Sequence, residues 1–432
     1  MKTRTFVIAI SVVASVVCLA SLAVGQTIFG TILGTVTDPS GAVVPNIVIT
    51  VTNQGENTSR DVRSDAQGNY QAENLKEGIY TVSIQAQGFR ELTVKEIRLT
   101  ARQVVRADLQ LAMGTTAENV TVEAHAELIN TESQAISTSV TSTEVLGLPA
   151  NYRGAGSTSP YNLLAFLPGV TGDKYNNFSV QGTGVNQVQY TIDGIDTSSV
   201  RYYGPQVDMF PSAESISEMK VQGAGGGAEY GGAADITTTS KSGSNAFHGS
   251  VFEYFQNAAL DAVPFGATAG KPAKSANTFG GSVGGPIFKG HTFFFGDYEG
   301  MRYRTQKVLH ETLPTQAMWN GDLSHVFQGD GVTPVTVNQL DGTPFPNSMI
   351  PSNQISSVAT KIQPFYPLPN TGDPNVFVNG DINYVKNVPN PILSDQFDIR
   401  IDHTINSKQN VFGRWTYKNI RRVNPFGLLL PV

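Results

Sequence analysis

The sequence predicts a mainly β protein built from several domains. After residue 25, long helical patterns are scarce, and short alternating segments end at Gly, Asn, Asp or Ser. The 432 residues include 43 glycines and 23 prolines, which suits a chain with many turns. Toward the C-terminus, segments of about ten residues alternate between apolar and polar side chains. We therefore expect a β-sandwich, then an α+β domain, then the first strands of an incomplete antiparallel barrel.

Residues 1–25 are predicted to be a signal peptide. Lys2 and Arg4 precede an apolar run at 6–24, and small residues at its end fit cleavage by a signal peptidase. The run is long enough for a retained membrane anchor, which is the alternative. Cleavage after residue 25 would remove the single cysteine, Cys18, so the mature chain would have no disulfide and no thiol nucleophile.

Residues 26–112 are predicted to form a two-sheet sandwich of about seven short strands. Tyr80, Val82 and Ile84 fall on one face of such a strand. The stretches GTVTDPSGAVVP (34–45), DAQGNY (65–70) and LKEGIY (75–80) resemble the carboxypeptidase regulatory-like domain, a transthyretin-type or immunoglobulin-like sandwich. The resemblance names a fold neighbour and implies no peptidase. We expect a spacer or docking module.

Residues 128–245 are predicted to form the α+β domain. A short amphipathic helix is expected at 160–170, followed by two strands that turn at Asp193 and Gly194. The ordered stretches LPGV, FSVQG, YTIDGID, AEYGG and TSKSGSN resemble the plug domain of TonB-dependent outer-membrane receptors; they lie at 167–170, 178–182, 190–196, 228–232 and 239–245. Asp193 and Asp196 are interpreted as turn residues of that plug rather than as acid/base partners.

Residues 246–432 are predicted to be the N-terminal part of a transmembrane barrel. In QFDIRIDHTI (396–405), every second residue is polar and most of the others are Phe or Ile. Strands are expected near 247–256, 277–287, 292–304, 396–405 and 410–420. The stretches HGSVFEYFQNAALDA (248–262) and TFFFGDYEGMR (292–302) resemble the plug-to-barrel join and early barrel of Oar-like receptors.

The connections between these strands alternate between long and short, as in outer-membrane barrels. The segment 305–395 contains eleven prolines, so we expect an extracellular loop there. Five strands cannot close a barrel, and an open edge in lipid would leave backbone groups without hydrogen bonds. We therefore expect this chain to be the N-terminal part of a longer receptor, either a truncated gene product or a sequence fragment.

The linker at 113–127 contains the heptad ENVTVEA. In the family that the plug resembles, a segment of this kind before the plug adds a strand to the periplasmic energy-coupling protein TonB. The resemblance therefore implies a TonB box, which would consist of Glu118, Asn119, Val120, Thr121, Val122, Glu123 and Ala124. The alternative is that these residues form the last strand of the sandwich or a strand of the plug.

Charge and motif content exclude several functions. A net charge of -6 gives no broad basic surface, so no nucleic-acid partner is expected. The six histidines lack metal-ligand spacing and no H-E-x-x-H occurs, so we assign no catalytic residue, no metal site and no enzyme activity. Residues 223–228, GAGGGA, match a dinucleotide-binding loop only formally, because no helix start follows; no cofactor is expected.

The resemblance implies active uptake of a nutrient across the outer membrane, with a saccharide, a peptide or another large solute as substrate. The expected partners are TonB in the periplasm, outer-membrane lipid and the extracellular nutrient, which could be a carbohydrate. The sandwich and the TonB box would lie in the periplasm. The alternative is a surface or secreted adhesion protein that binds carbohydrate through the sandwich.

Overall fold

The structure is a computed structural model, in which the described residues are 28–114, 119–123, 136–147, 160–172, 177–201, 204–205, 210–223, 231–263, 273–406 and 409–423. The predicted signal peptide lies outside these residues. Within the described ranges, none of the helices combines the length and hydrophobicity that a membrane-spanning helix needs.

The chain divides into two compact units. The first consists of Met1–Phe252, Gly280–Glu299 and Gln396–Lys418, and the second of Glu253–Phe279, Gly300–Asp395 and Asn419–Val432.

The first domain is a sandwich of two sheets. Its strands are β1 (Gly30–Thr37), β2 (Val48–Asn53), β3 (Thr58–Arg63), β4 (Asn69–Leu75), β5 (Gly78–Ile84), β6 (Glu91–Leu99), β7 (Val104–Arg106), β8 (Leu109–Gln110) and β9 (Asn119–Glu123). One sheet has the order β4-β1-β7, with β8 also paired to β1, and the other has the order β3-β2-β5-β6-β9. Mainly β structure is thus confirmed for this region.

The sandwich core follows from the two-residue period of its strands. On β5, Tyr80, Val82 and Ile84 are all buried, as their spacing predicted, and they pack with Ile49 and Val51 of β2. The turn before β4 is held by the Asp65 carboxylate, which accepts hydrogen bonds from two backbone N–H groups, those of residues 67 and 69.

The second domain is built around a five-stranded sheet. Its strands are β10 (Ser137–Thr141), β11 (Val170–Gly172), β12 (Phe178–Val180), β13 (Val188–Ile192), β14 (Ile195–Asp196), β15 (Ile216–Gln222) and β16 (Ala234–Ser240). The sheet order is β10-β15-β16-β13-β14, in which β13 and β16 are parallel. An α-helix at Ser142–Gly147 and 3₁₀ helices at Pro160–Phe166, Val185–Gln187 and Ala213–Ser215 complete the domain.

The helix expected at 160–170 is a single 3₁₀ segment of seven residues. Tyr161, Leu163 and Leu164 are buried, while Phe166 is exposed, so the segment has one inward face. The helix ends at Phe166, and Gly169 in the turn that follows has a φ of +76°, which glycine adopts readily.

The C-terminal strands of the chain form a six-stranded sheet. They are β17 (His248–Asn257), β18 (Lys274–Phe288), β19 (Thr292–Glu311), β22 (Tyr384–Pro389), β23 (Ile392–Asn406) and β24 (Gln409–Arg422), with the short strands β20 (Val326–Phe327) and β21 (Phe377–Val378) between β19 and β22. The sheet order is β17-β18-β19-β23-β24, and β22 also pairs with β19. Short helices lie at Ala258–Leu260, Gln316–Trp319, Pro346–Ser348, Ser352–Gln354, Ser357–Ile362 and Gln363–Phe365.

The two faces of β23 and β24 differ as the alternation predicted. The large apolar side chains that are exposed are Phe397, Ile399, Ile401 and Ile405 on β23 and Val411, Trp415 and Tyr417 on β24. Exposed polar side chains, among them His403, Asn419 and Arg421, lie toward the strand ends. On β23 the opposite face is buried and polar, with Gln396, Asp398, Arg400 and Asp402 at most 2% exposed. An apolar outer face and a polar inner face are typical of strands in an outer-membrane barrel.

The segment 305–395 contains more strand than expected. β19 continues to Glu311, and β22 pairs with it antiparallel from Gln306↔Pro389 to Glu311↔Tyr384. The prolines had suggested a loop throughout, but the stretches 305–313 and 375–388 contain none. Backbone N–H groups are therefore available for a ladder at both ends, and the irregular connection lies between them.

Candidate functional site

A cluster of five charged side chains joins the second domain to β23 and β24. We call Asp193, Asp398, Arg400, Asp402 and Arg414 the inner cluster; all five belong to the first compact unit. Asp193 comes from the tight turn between β13 and β14, and the other four come from the polar faces of the two C-terminal strands. The cluster therefore connects parts of the chain that lie about 200 residues apart.

The turn places Asp193 inside the protein. Asp193 and Gly194 have φ values of 51° and 84°, which suit a hairpin turn with left-handed residues. The Asp193 carboxylate accepts hydrogen bonds from the backbone N and the Oγ of Ser240, both at 2.8 Å. It also forms ion pairs with Arg400 Nη1 at 3.3 Å and with Arg414 Nε at 3.0 Å. Asp193 is therefore an anchor point as well as a turn residue.

Arg400 is the centre of the cluster. Its Nε and Nη2 donate to the two oxygens of Asp402 at 2.9 and 3.0 Å, which is a bidentate pair. Its Nη1 donates to the Ser240 carbonyl oxygen at 2.8 Å, and the guanidinium lies 4.5 Å from the centre of the Phe412 ring. A buried charge is tolerated when its hydrogen-bond capacity is used in this way.

Hydrogen bonds around the cluster extend the attachment to other strands. Gln396 Nε2 and Lys418 Nζ each donate to the Phe210 carbonyl oxygen at 3.2 Å. Ser212 Oγ donates to Glu299 Oε2 on β19 at 3.0 Å, and Ser250 Oγ on β17 donates to Glu214 Oε2 at 2.7 Å. These further contacts are also polar.

The sandwich reaches the same cluster through the turn before β5. Lys76 Nζ lies 2.9 Å from Glu56 Oε1 and 3.4 Å from Asp402 Oδ1, so Lys76 and Arg400 share one carboxylate. Next to it, burial raises the pKa of the Glu77 carboxyl to about 7, against the attraction of Arg400, which lowers it. The Asp402 carboxylate thus bonds both to Lys76 of the sandwich and to Arg400.

A second polar contact joins the sandwich to the sheet of the second domain. Lys220 Nζ donates to the Ala101 carbonyl oxygen at 3.0 Å, and the Ala101 N–H donates to Glu218 Oε2 at 3.3 Å. Arg102 Nη1 lies 3.5 Å from Asp235 Oδ1. Burial raises the pKa of Glu218 and of Asp235 and lowers that of Lys220, so desolvation disfavours the charged forms here.

The heptad ENVTVEA falls at the edge of the sandwich. Residues Asn119–Glu123 form β9, which pairs with β6 in parallel from Glu91↔Asn119 to Lys95↔Glu123. Thr121 and Val122 are exposed. Glu118 and Ala124 lie outside the described residues. Residues 119–123 therefore form the last strand of the sandwich, which the sequence analysis gave as the alternative. The role of the segment as a TonB box stays a prediction.

Sequence patterns missed the inner cluster as a set. Asp193 was interpreted as a turn residue, and Arg400 only as one of the alternating polar residues of 396–405. The available signal was an arginine on the polar face of each of two neighbouring strands, because a charge on an inner face needs a partner there.

In the described part of the chain, neither a metal-binding arrangement nor a nucleophile motif defines a second site. Among the residues that the structure describes, no three His, Cys, Asp or Glu side chains are arranged to hold a metal ion. We expected no G-x-S-x-G motif, but residues 280–284, GGSVG, match that pattern. Ser282 lies within β18 and hydrogen-bonds Ser250 Oγ at 2.8 Å, so the strand–turn–helix context of a nucleophile elbow is missing there.

Three family models match successive parts of the chain. Residues 31–112 match the carboxypeptidase regulatory-like domain, residues 133–235 match the TonB-dependent receptor plug domain, and residues 239–431 match an outer membrane β-barrel domain. The TonB-dependent transporter Oar of Myxococcus xanthus is 27% identical over 314 residues, which are 68% of this chain and 29% of the relative. The chain thus spans less than a third of the length of this curated relative.

Two solved structures are similar to only about a fifth of this chain. The TIE protein of Bacillus anthracis is 20% identical, covers 20% of this chain and 16% of its own, and has a TM-score of 0.17. A putative carbohydrate binding protein from Bacteroides uniformis is 18% identical, covers 19% of this chain and 40% of its own, and also has a TM-score of 0.17. Likenesses at this level carry no argument about function.

Proposed function

We propose that this chain takes part in active uptake of a nutrient. The premise is its family: it belongs to the TonB-dependent outer-membrane receptors of the Oar-like type with an N-terminal carboxypeptidase regulatory-like domain. The family consists of transporters and receptors rather than enzymes. The observation that carries the proposal is the inner cluster, which attaches the plug to the polar faces of strands whose other faces are apolar.

The inner cluster suits a plug that must be both firmly seated and movable. Buried ion pairs add little net stability compared with apolar packing, because their desolvation offsets their attraction. If the plug moves and water enters, the same carboxylates and guanidinium groups can be hydrated, whereas an apolar interface would resist wetting. Rearrangement of the plug would therefore proceed by exchanging ion pairs for water.

The energy for this movement would come from TonB, which would bind residues 118–124 in the periplasm. In the short connection after β18, the Gly290 N–H donates to Asn245 Oδ1 at 2.8 Å, and the Asn245 N–H donates to the Gly55 carbonyl oxygen of the sandwich at 3.1 Å. This placement supports a periplasmic sandwich, because short turns of outer-membrane barrels are periplasmic. The apolar faces of β23 and β24 would contact lipid.

The substrate would be a saccharide, a peptide or another large solute, met first at the extracellular connection between β19 and β22. Uptake by cells that carry the gene, measured with labelled glycans, peptides and metal chelates, tests this proposal. Loss of uptake on deletion of the gene, together with loss when the proton gradient is collapsed, is the expected result. Uptake that persists without the gradient would contradict TonB-driven transport.

Crosslinking tests the proposed TonB box. A Val122→Cys receptor should form an adduct with TonB through a short bifunctional reagent, because Val122 is exposed on β9. Ser59→Cys is the matched control, since Ser59 is exposed on β3, the opposite edge of the same sheet. An adduct no stronger than that of the control would remove the assignment.

A further inference from the structure

The strand β9 occupies an edge of the sandwich. In the sheet order β3-β2-β5-β6-β9 it is the terminal strand, and among the described residues no strand pairs with its other side. All five of its residues are in register with β6. In a parallel ladder the backbone N–H and C=O groups of one strand point alternately to the two sides. The outer side of β9 therefore presents an unpaired row of groups that can accept another strand.

We propose that TonB recognises residues 119–123 while they remain paired with β6, by adding its own strand to the outer side of β9. The sandwich and TonB would then share one continuous sheet. This inference rests on the proposed function of the segment as the TonB box. It makes the sandwich part of the coupling interface, with the recognition strand held ready by β6.

Two features favour addition over displacement of β9 from β6. First, β6 already fixes the backbone of the segment in an extended conformation, so a partner strand meets an ordered template instead of a free tether. Second, displacement would turn β6 into a new edge, and β6 contributes Leu92 and Ile97, buried at 6% and 1% exposure, to the sandwich core. Addition of a TonB strand keeps both the β6–β9 hydrogen bonds and the packing of β6 on the sandwich core.

A disulfide between β6 and β9 separates the two mechanisms. Thr93 and Thr121 are paired in register. Paired strands lie about 4.8 Å apart, within the Cα separation that a disulfide accepts. The variant Thr93→Cys/Thr121→Cys, made with Cys18→Ser, would be purified as the full chain in detergent. Its affinity for the purified periplasmic domain of TonB would be measured under oxidising and reducing conditions.

The expected result is a Kd that changes by less than about threefold on oxidation, since a locked β9 still offers its outer side. A loss of affinity of tenfold or more on oxidation, restored by reduction, would show that TonB needs the strand released and would overturn this inference alone. The control lock Thr52→Cys/Thr81→Cys joins β2 to β5, which pair at those residues, and should leave the Kd unchanged.

Hydrogen exchange on the unmodified receptor gives a second measurement that does not depend on any variant folding. On binding TonB, the amides of β9 that face outward should gain protection, while those of β6 keep theirs. Loss of protection along Glu91–Lys95 would contradict addition. If the unmodified receptor shows neither binding nor a change at 119–123, the TonB-box assignment itself fails, which is a different outcome from failure of the locked variant.

Discussion

The sandwich core and the inner cluster are two buried regions of the first compact unit, and they are filled with different chemistry. In the sandwich, the interior of β2 and β5 consists of Ile49, Val51, Val82 and similar side chains. Where the plug meets β23, the residues with 2% exposure or less include Arg400, Asp398 and Asp402. The first region excludes water through apolar packing, and the second satisfies its charges through one another.

This difference fits the roles that we propose above for the two regions. Apolar packing makes a domain resist a pulling force, because exposing its buried apolar surface to water costs free energy throughout unfolding. A charged interface has a smaller net stability, but it opens into a state that water also stabilises. The sandwich is therefore suited to present and hold a strand, and the inner cluster is suited to release a plug.

The largest expected effect comes from removing the central arginine. Arg400→Met leaves Asp193 and Asp402 buried with reduced compensation, and loss of one partner of a buried ion pair typically costs about 3–5 kcal/mol. We expect the amides of β13 and β16 to exchange faster by an amount corresponding to that free energy, measured by hydrogen exchange of the full chain in detergent.

The matched control is Arg302→Met. Arg302 Nη2 lies 2.7 Å from Asp395 Oδ1, but both side chains are about one-third exposed, so the loss should be about 1 kcal/mol or less. Adding Asp193→Asn to Arg400→Met should cost less than the sum of the two single changes, since they share partners. Additive losses would show that the two residues are not energetically coupled.

The next effect should come from the sandwich core. Ile49→Ala removes a fully buried side chain, and such truncations cost about 2–5 kcal/mol. Faster exchange should be confined to the sandwich sheets and should not spread to β13 and β16. Ile79→Ala is the control, because Ile79 is 43% exposed and should change stability by about 0.5 kcal/mol or less. Equal effects of the two substitutions would contradict the apolar core described here.

Local periodicity was sufficient to predict much of the fold. The two-residue period identified the buried face of β5 through Tyr80, Val82 and Ile84. It also separated Ile399 from Arg400 on β23, because a strand turns successive side chains to opposite sides. These predictions needed no knowledge of what lay across the sheet.

Partners across the chain could not be predicted in the same way. The pairing of Asp193 with Arg400 joins residues 207 positions apart, and a local pattern gives the face of a side chain but not the group it meets. The position of β9 was open for a similar reason, since five alternating residues fit any sheet edge with a matching register. The extension of β19 to Glu311 was missed because the prolines were counted over the whole segment 305–395, although residues 305–313 and 375–388 contain none.

The smallest expected effect is a pH dependence at the point where the two regions meet. Burial raises the pKa of Glu77 to about 7 in the folded protein, above its ordinary value of 4.5. Between these two values the folded chain keeps a proton that the unfolded chain has lost. The contribution of Glu77 is therefore fully favourable below about pH 4.5 and is lost as the pH rises through 7.

Glu77→Gln should remove this dependence, because the amide stays neutral at every pH. Relative to the unmodified chain, the melting temperature of the variant should therefore be higher at pH 8 than at pH 5, by a small amount since Glu77 is only partly buried. Glu73→Gln, at an exposed position on β4, is the control for loss of a carboxylate from the surface of the sandwich. An equal shift for Glu77→Gln at both pH values would show that its carboxyl is as well solvated as that of Glu73, and that the sandwich does not bury it against the charges around Asp402.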